Sequence, residues 1–235
     1  MQRNIDPGVY EIILIDNGST HNCNEDELRR LLPGLVVHRL QNATVSPVPA
    51  INFGLTVARG DLVGVCIDGA CIDGARMASP VLLSKALAAS RLRDRPVIGT
   101  VALHLGPELQ RERVKHGYNL AVEDELLAGS GWEADGYRLF TISVFAGSSG
   151  GGWFELPAES SAFFLRAEHW RALGGWDEEF RDAGWRFREA RRLGACADPT
   201  GELIMLARRG DVPPSPRRCR DQQPEPALRA VSRRV

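Results

Sequence analysis

Apolar runs bounded by turn residues divide the first hundred residues into alternating strands and helices. Glu11-Ile-Ile-Leu-Ile-Asp16 is short, branched and apolar and runs into Asp-Asn-Gly-Ser, which predicts a buried strand ending in a turn. Asn24 to Leu32 predicts a helix, with asparagine at the cap and acids in the first turn. Leu35 to Arg39 reads as a second strand, Ala50 to Ala58 as a short helix and Leu62 to Ile67 as a third strand. Pro80 to Ala89 reads as a helix with proline in its first turn, and Pro96 to His104 as a further strand. Farther on, Asn119 to Leu127 predicts a helix, with Glu123, Asp124 and Glu125 on an exposed face, and Tyr137 to Phe145 predicts a strand. Gly147 to Gly152 reads as a flexible loop, Ser160 to Leu165 as a strand, and Ala167 to Leu173 as a helix stopped by Gly174-Gly175. Alternation of this kind predicts an α/β fold, a mainly parallel sheet with helices on both faces.

From Arg208 onward the pattern stops. Arginine and proline dominate without apolar periodicity, so residues 208–235 are expected to be a disordered tail. The 235 residues otherwise fit one good-sized unit over 1–207, with halves at about 1–105 and 106–207. Composition is ordinary for a soluble globular protein, with 43% hydrophobic and 25% charged residues. A net charge of −1 gives no electrostatic case for nucleic acid or an anionic membrane surface. No apolar run reaches the roughly 20 residues of a membrane span, and the N-terminus lacks the build of a signal peptide. Five scattered cysteines suit reduced thiols, so a cytoplasmic location is expected. The five histidines are dispersed without metal-ligand spacing.

Ligands of open parallel sheets sit beyond the carboxyl ends of the strands. Asp16 and Asn17 follow the first strand, and Asp68 and Asp73 follow the third. An aspartate there can accept hydrogen bonds from a base or sugar, or hold a hard cation on a diphosphate. The plainer reading of each is a turn former. A dinucleotide-binding dehydrogenase would need a Gly-x-Gly-x-x-Gly turn after the first strand, and Asp16-Asn-Gly-Ser-Thr does not supply one.

Three blocks in order resemble glycosyltransferase family 2, a group of GT-A type nucleotide-sugar transferases. The first is Glu11-Ile-Ile-Leu-Ile-Asp-Asn-Gly-Ser-Thr20. The second joins Asn52-Phe-Gly54 and Ala58-Arg-Gly-Asp61 to an apolar strand ending in aspartate. The third is Glu159-Ser-Ser-Ala-Phe-Phe-Leu-Arg166 with Leu173-Gly-Gly-Trp-Asp-Glu178. The resemblance implies a Rossmann-like GT-A fold and transfer of a sugar from a nucleotide-diphosphate sugar to an acceptor hydroxyl. It implies that Asp16 and Asn17 touch the nucleotide, that the third-strand aspartates face the sugar-phosphate with Mg2+ or Mn2+, and that Asp177 and Glu178 lie near the acceptor as base candidates. Glu159 stands at a strand start beside the third block. Trp176 reads either as a ring for a sugar to stack on or as core.

The chain also departs from the family pattern. Cys66-Ile-Asp-Gly-Ala repeats in tandem to Ala75, and spacing to Ser79-Pro80 favours Asp73 as the metal ligand. The second acid of that motif is then Ala75, which binds no cation. Arg76 either supplies part of the missing positive charge to a phosphate or is a solvated helix-start residue. The family has an inner strand and helix ahead of the first block, whereas ten residues precede Glu11 here, so truncation and marginal stability are expected. Reading the codons of Gly210–Pro224 one nucleotide later, with permitted synonymous choices, yields a His-bearing segment similar to the ends of related transferases. A frameshifted tail without selected function is therefore expected. The alternative to an enzyme is a catalytically inert domain that binds a nucleotide or glycan.

Overall fold

A computed structural model describes residues 5–19, 24–32, 34–66, 81–155, 162–179 and 202–206. The first strand, β1 (Ile13–Asp16), is followed by helix α1 (Glu25–Leu31) and strand β2 (Val36–Arg39). Asn24 caps α1 as expected, its side-chain oxygen accepting the Glu27 N–H at 3.3 Å, an interaction worth about 1 kcal/mol in such helices. Strands β1 and β2 pair in parallel, with Asp16 opposite Arg39 at the end of the ladder. Helix α2 (Val48–Val57) returns over β1, Gly54 lying close against Ile15. Next come β3 (Leu62–Cys66), α3 (Leu82–Ala89), β4 (Pro96–Gly99) and β5 (Leu103–Leu105). The later part of the chain forms α4 (Gln110–Lys115), α5 (Leu120–Ser130), β6 (Ser143–Phe145), β7 (Ala162–Arg166), α6 (Ala167–Leu173) and β8 (Glu202–Met205).

The central sheet has the order β3-β7-β4-β8. Its middle strand reads Ala-Phe-Phe-Leu, apolar at successive positions because both faces are covered. Ala162 and Phe164 point to one face, joining Ile98 and Ile204 under Leu82, Ala86 and Ala89 of α3 and Leu127 of α5. Phe163 and Leu165 point to the other, joining Val97, Val48 and Ile51 of α2, Trp170 of α6 and Trp176. Helices on both faces of a sheet in an α/β fold are therefore present. Strands from both expected halves share this sheet.

Strand direction differs from the sequence expectation. The pairs β1·β2 and β4·β8 are parallel, but β7 runs antiparallel to both β3 and β4, and β5·β6 is antiparallel. Apolar periodicity marks a strand without marking its direction, which depends on the side from which the chain re-enters the sheet. Among the described residues, β1 and β3 belong to different sheets. Glu11 and Arg59 bridge the two segments: Oε1 of Glu11 accepts the Arg59 backbone N–H at 2.7 Å, and Oε2 accepts from Nε and Nη2 at 2.9 and 2.8 Å.

Four local expectations need correction. The strand expected over Pro96–His104 breaks at Thr100–Ala102, where the chain leaves β4 and pairs with β6 instead. The strand expected over Tyr137–Phe145 begins as a 3-10 turn, Gly136–Thr141, because the Asp135 side chain caps the Tyr137 N–H at 3.0 Å; only Ser143–Phe145 is extended. The glycine-rich stretch is anchored: Ser149 is buried and its hydroxyl accepts the Ala102 N–H at 3.0 Å. Glu123 is buried, with the Tyr118 hydroxyl donating to it at 3.4 Å, while Asp124 and Glu125 are exposed.

Candidate functional site

Asp16 closes β1, and both its oxygens are engaged. Oδ1 accepts the Ser19 N–H at 2.8 Å, closing the turn through Asn17 and Gly18. Oδ2 faces the Arg39 guanidinium at 3.3 Å, and the side chain is 10% exposed. The backbone N–H of Ser19 contributes most to holding this carboxyl below the usual range, followed by the Ser19 side chain; burial opposes them, and weaker contributions from Arg39 and the Gly18 N–H add to the lowering. Arg39 also reaches Glu25 at 2.9 Å, so the tips of β1 and β2 are tied to the first turn of α1. At this strand tip the turn-forming reading of Asp16 is present in full.

Asn17 makes a reciprocal clamp. Its Nδ2 donates to the Thr44 carbonyl at 2.9 Å, and its Oδ1 accepts the Thr44 N–H at 3.4 Å. Thr44 lies in the loop that leads from β2 into α2, and Pro47 and Pro49 help start that helix.

One turn into α2, Asn52 makes a second reciprocal clamp on a distant segment. Its Oδ1 accepts the Trp176 N–H at 2.8 Å, and its Nδ2 donates to the Trp176 carbonyl at 2.8 Å and to Glu178 Oε1 at 3.0 Å. The loop can come this close because Gly174 and Gly175 both adopt left-handed backbone, at φ 73° and 75°. A side chain at Gly175 would stand 2.6 Å from Asn52 Oδ1. Asp177, half-buried, turns its Oδ1 back to accept the Glu179 N–H at 3.0 Å, while Glu178 is exposed.

Trp176 takes the core position among its two sequence readings. It is 2% exposed and stacks on Trp170 with ring centroids 6.1 Å apart and planes 20° apart. A sugar has no exposed ring to stack on there in this conformation. Asp68, Asp73, Arg76 and Glu159 lie outside the described residues. Among the described residues no group of three or more His, Cys, Asp or Glu side chains is placed to hold a metal ion, and no helix is long and apolar enough to cross a membrane.

The geometry thus brings two sequence blocks onto one helix. The loop entering α2 is clamped to Asn17 beside Asp16, and α2 itself carries the Trp176–Glu178 loop. No protein-family model matches the chain, and no curated protein matches it. Solved structures with a similar course include S. aureus TarS residues 1–349, at TM-score 0.47 and 15% identity over 89% of this chain and 51% of that one. The same TarS piece in complex with UDP aligns at 0.49 and 13% identity, over 89% and 51% of the two chains. S. aureus TarS aligns at 0.49 and 13%, over 88% of this chain and 31% of that one. The chain spans about half the length of the first two of these structures.

Sequence reading missed the roles of Asn52 and Arg39. Asn52 carried a readable signal: asparagine is a poor helix former, and one inside an apolar helix needs a partner outside it. Arg39 offered no comparable sign, since its pairing with Asp16 depends on strand register.

Proposed function

We propose that the chain is a nucleotide-sugar transferase domain of the glycosyltransferase family 2 type, passing a sugar from a nucleotide-diphosphate donor to an acceptor hydroxyl. The observation that carries this reading is the Asn52 clamp. It attaches the loop bearing Asp177 and Glu178 to the same helix whose entry loop is clamped beside Asp16, so the first and third matched blocks are both tied to α2 or to the loop entering it. In this reading the strand tip at Asp16 and Asn17 receives the nucleotide, Asp68, Asp73 and Arg76 serve the sugar-phosphate, and Glu159 contributes to substrate binding from the third, acceptor-side block. One carboxylate of Asp177 or Glu178 takes the proton from the acceptor hydroxyl as its oxygen attacks the anomeric carbon. The bond from that carbon to the diphosphate breaks, and the nucleoside diphosphate leaves with the electron pair. Mg2+ or Mn2+, when bound with Asp73 among its ligands, would supply charge neutralisation on the diphosphate.

The test is incubation of the full chain with a panel of nucleotide sugars, reading release of nucleoside diphosphate. Release that falls by two to four orders of magnitude in Asp177→Asn or Glu178→Gln supports the reading. A second reading, a binding domain without turnover, is favoured by the internal engagement of Glu178 Oε1, one of the two base candidates. Calorimetric binding without release would select it. Neither binding nor release from any donor would dismiss both.

A further inference from the structure

We infer that Asn52 is a positioning residue, one whose side-chain amide holds one oxygen of the Glu178 carboxylate in place and aims it from the loop; as a statement about catalysis this rests on the proposed transferase reading. Both donors and the oxygen of the amide are engaged. Its carbonyl oxygen takes the Trp176 N–H, and its two N–H bonds divide between the Trp176 carbonyl at 2.8 Å and Glu178 Oε1 at 3.0 Å. The first two contacts imitate a backbone pair and set the height of the loop above α2. The third differs in kind, because it reaches a side chain and fixes where one oxygen of the Glu178 carboxylate stands. Glu178 is exposed and on a loop, so without that contact its side chain would sample several rotamers.

Asp177 already spends Oδ1 on the Glu179 N–H. Trp176 is fixed from beneath by its stack on Trp170, and the Trp170 indole N–H is itself fixed by the Val63 carbonyl at 3.1 Å. The ring pair anchors the loop to the sheet, and Asn52 sets the carboxylate that follows it. Glu178, in the loop that follows α6, is thereby coupled to α2.

The experiment uses Asn52→Asp, close to isosteric. It keeps an oxygen for the Trp176 N–H but replaces both donors with a carboxylate facing Glu178. Two carboxylates that close share a proton, and the pair titrates with one apparent pKa raised. Carboxyl carbon NMR on the full chain should therefore show the Glu178 titration moved up by about one pH unit or more in this variant. In the unaltered protein the Asn52 side-chain NH2 signals should shift with the same midpoint as Glu178, and that response should vanish in Glu178→Gln; this measurement needs no folded position-52 variant. With an active donor, the acidic limb of the kcat profile should move up by the same amount as the titration, while KM for the donor stays within about twofold.

An unmoved Glu178 titration, or Asn52 amide signals indifferent to Glu178, overturns the inference. A moved titration with an unmoved kcat limb overturns its catalytic part. Absence of turnover together with the expected NMR shifts counts against the transferase reading alone and leaves the positioning of Glu178 standing.

Discussion

Adjacent glycines at 174 and 175 allow the Asn52 clamp to be measured as a difference. Both have left-handed backbone, φ 73° and 75°, so alanine at either incurs the same kind of strain, about 1 kcal/mol. Their surroundings differ. Nothing lies within 4 Å of a methyl at Gly174, whereas one at Gly175 lies 2.6 Å from Asn52 Oδ1 and 3.3 Å from its Cγ. Relieving that overlap means moving the amide away from the Trp176 backbone, where it makes two hydrogen bonds of 2.8 Å, each worth roughly 1 kcal/mol net. Alanine also stiffens the unfolded chain and returns about 0.4–1 kcal/mol at both sites. Gly174→Ala should therefore cost at most about 1 kcal/mol, and Gly175→Ala about 2–3 kcal/mol.

Urea unfolding followed by tryptophan emission is a suitable assay, since the Trp170–Trp176 stack sits beneath the loop. The midpoint should fall in both variants, farther for Gly175→Ala, without change in slope. In an Asn52→Ala background the excess at 175 should disappear, because the obstructing oxygen is gone. Equal losses at 174 and 175, or an excess that survives Asn52→Ala, would refute the steric argument and with it the tightness of the clamp.

Two further outcomes follow from the core. A methyl at Gly64 of β3 would overlap the ring of Phe164, its buried register partner in β7; Gly64→Ala should cost about 1–3 kcal/mol in thermal or urea unfolding, and a neutral result would mean that the ring has room to move. His169 is 3% exposed, with no hydrogen-bond partner for either ring nitrogen among the described residues, and burial first, then Arg95, pushes its pKa below the ordinary 6.5 against a weaker pull from Glu168. Above 6.5 both states hold this ring neutral; below it the unfolded chain gains a proton that the folded one resists, so stability should drop as pH falls from 6.5 toward the folded pKa, and His169→Leu should flatten that slope in urea midpoints measured between pH 7.5 and 5, conditions chosen as roughly one unit either side of the ordinary range.

Much of the secondary structure was legible because its causes are local. Asn24 and Asn119 cap their helices, Gly174 stops α6, and the unbroken apolar run Ala162–Leu165 forecasts a strand covered on both faces. The aspartate at the end of β1 was equally readable as both a turn former and a strand-tip ligand, and its bonds to Ser19 and Arg39 express the first role. The Pro96–His104 and Tyr137–Phe145 segments were misread because apolar spacing does not say where one sheet ends and another starts. In the second, a single capping carboxylate at Asp135 outweighed strand-forming aromatics.

Helix ends, strand cores and turn positions follow from neighbours a few residues apart, so the order of elements and the α/β class could be read from the chain alone. Direction and partnership could not. That β7 runs against β3 and β4, that Trp176 faces inward on Trp170, and that Asn52 meets Glu178 across 126 positions of sequence all depend on which surfaces the folded chain brings together. Periodicity records how far a residue is buried and on which side. The identity of the group it meets is set by long-range packing, where shape and hydrogen-bond complementarity act only after the chain has closed.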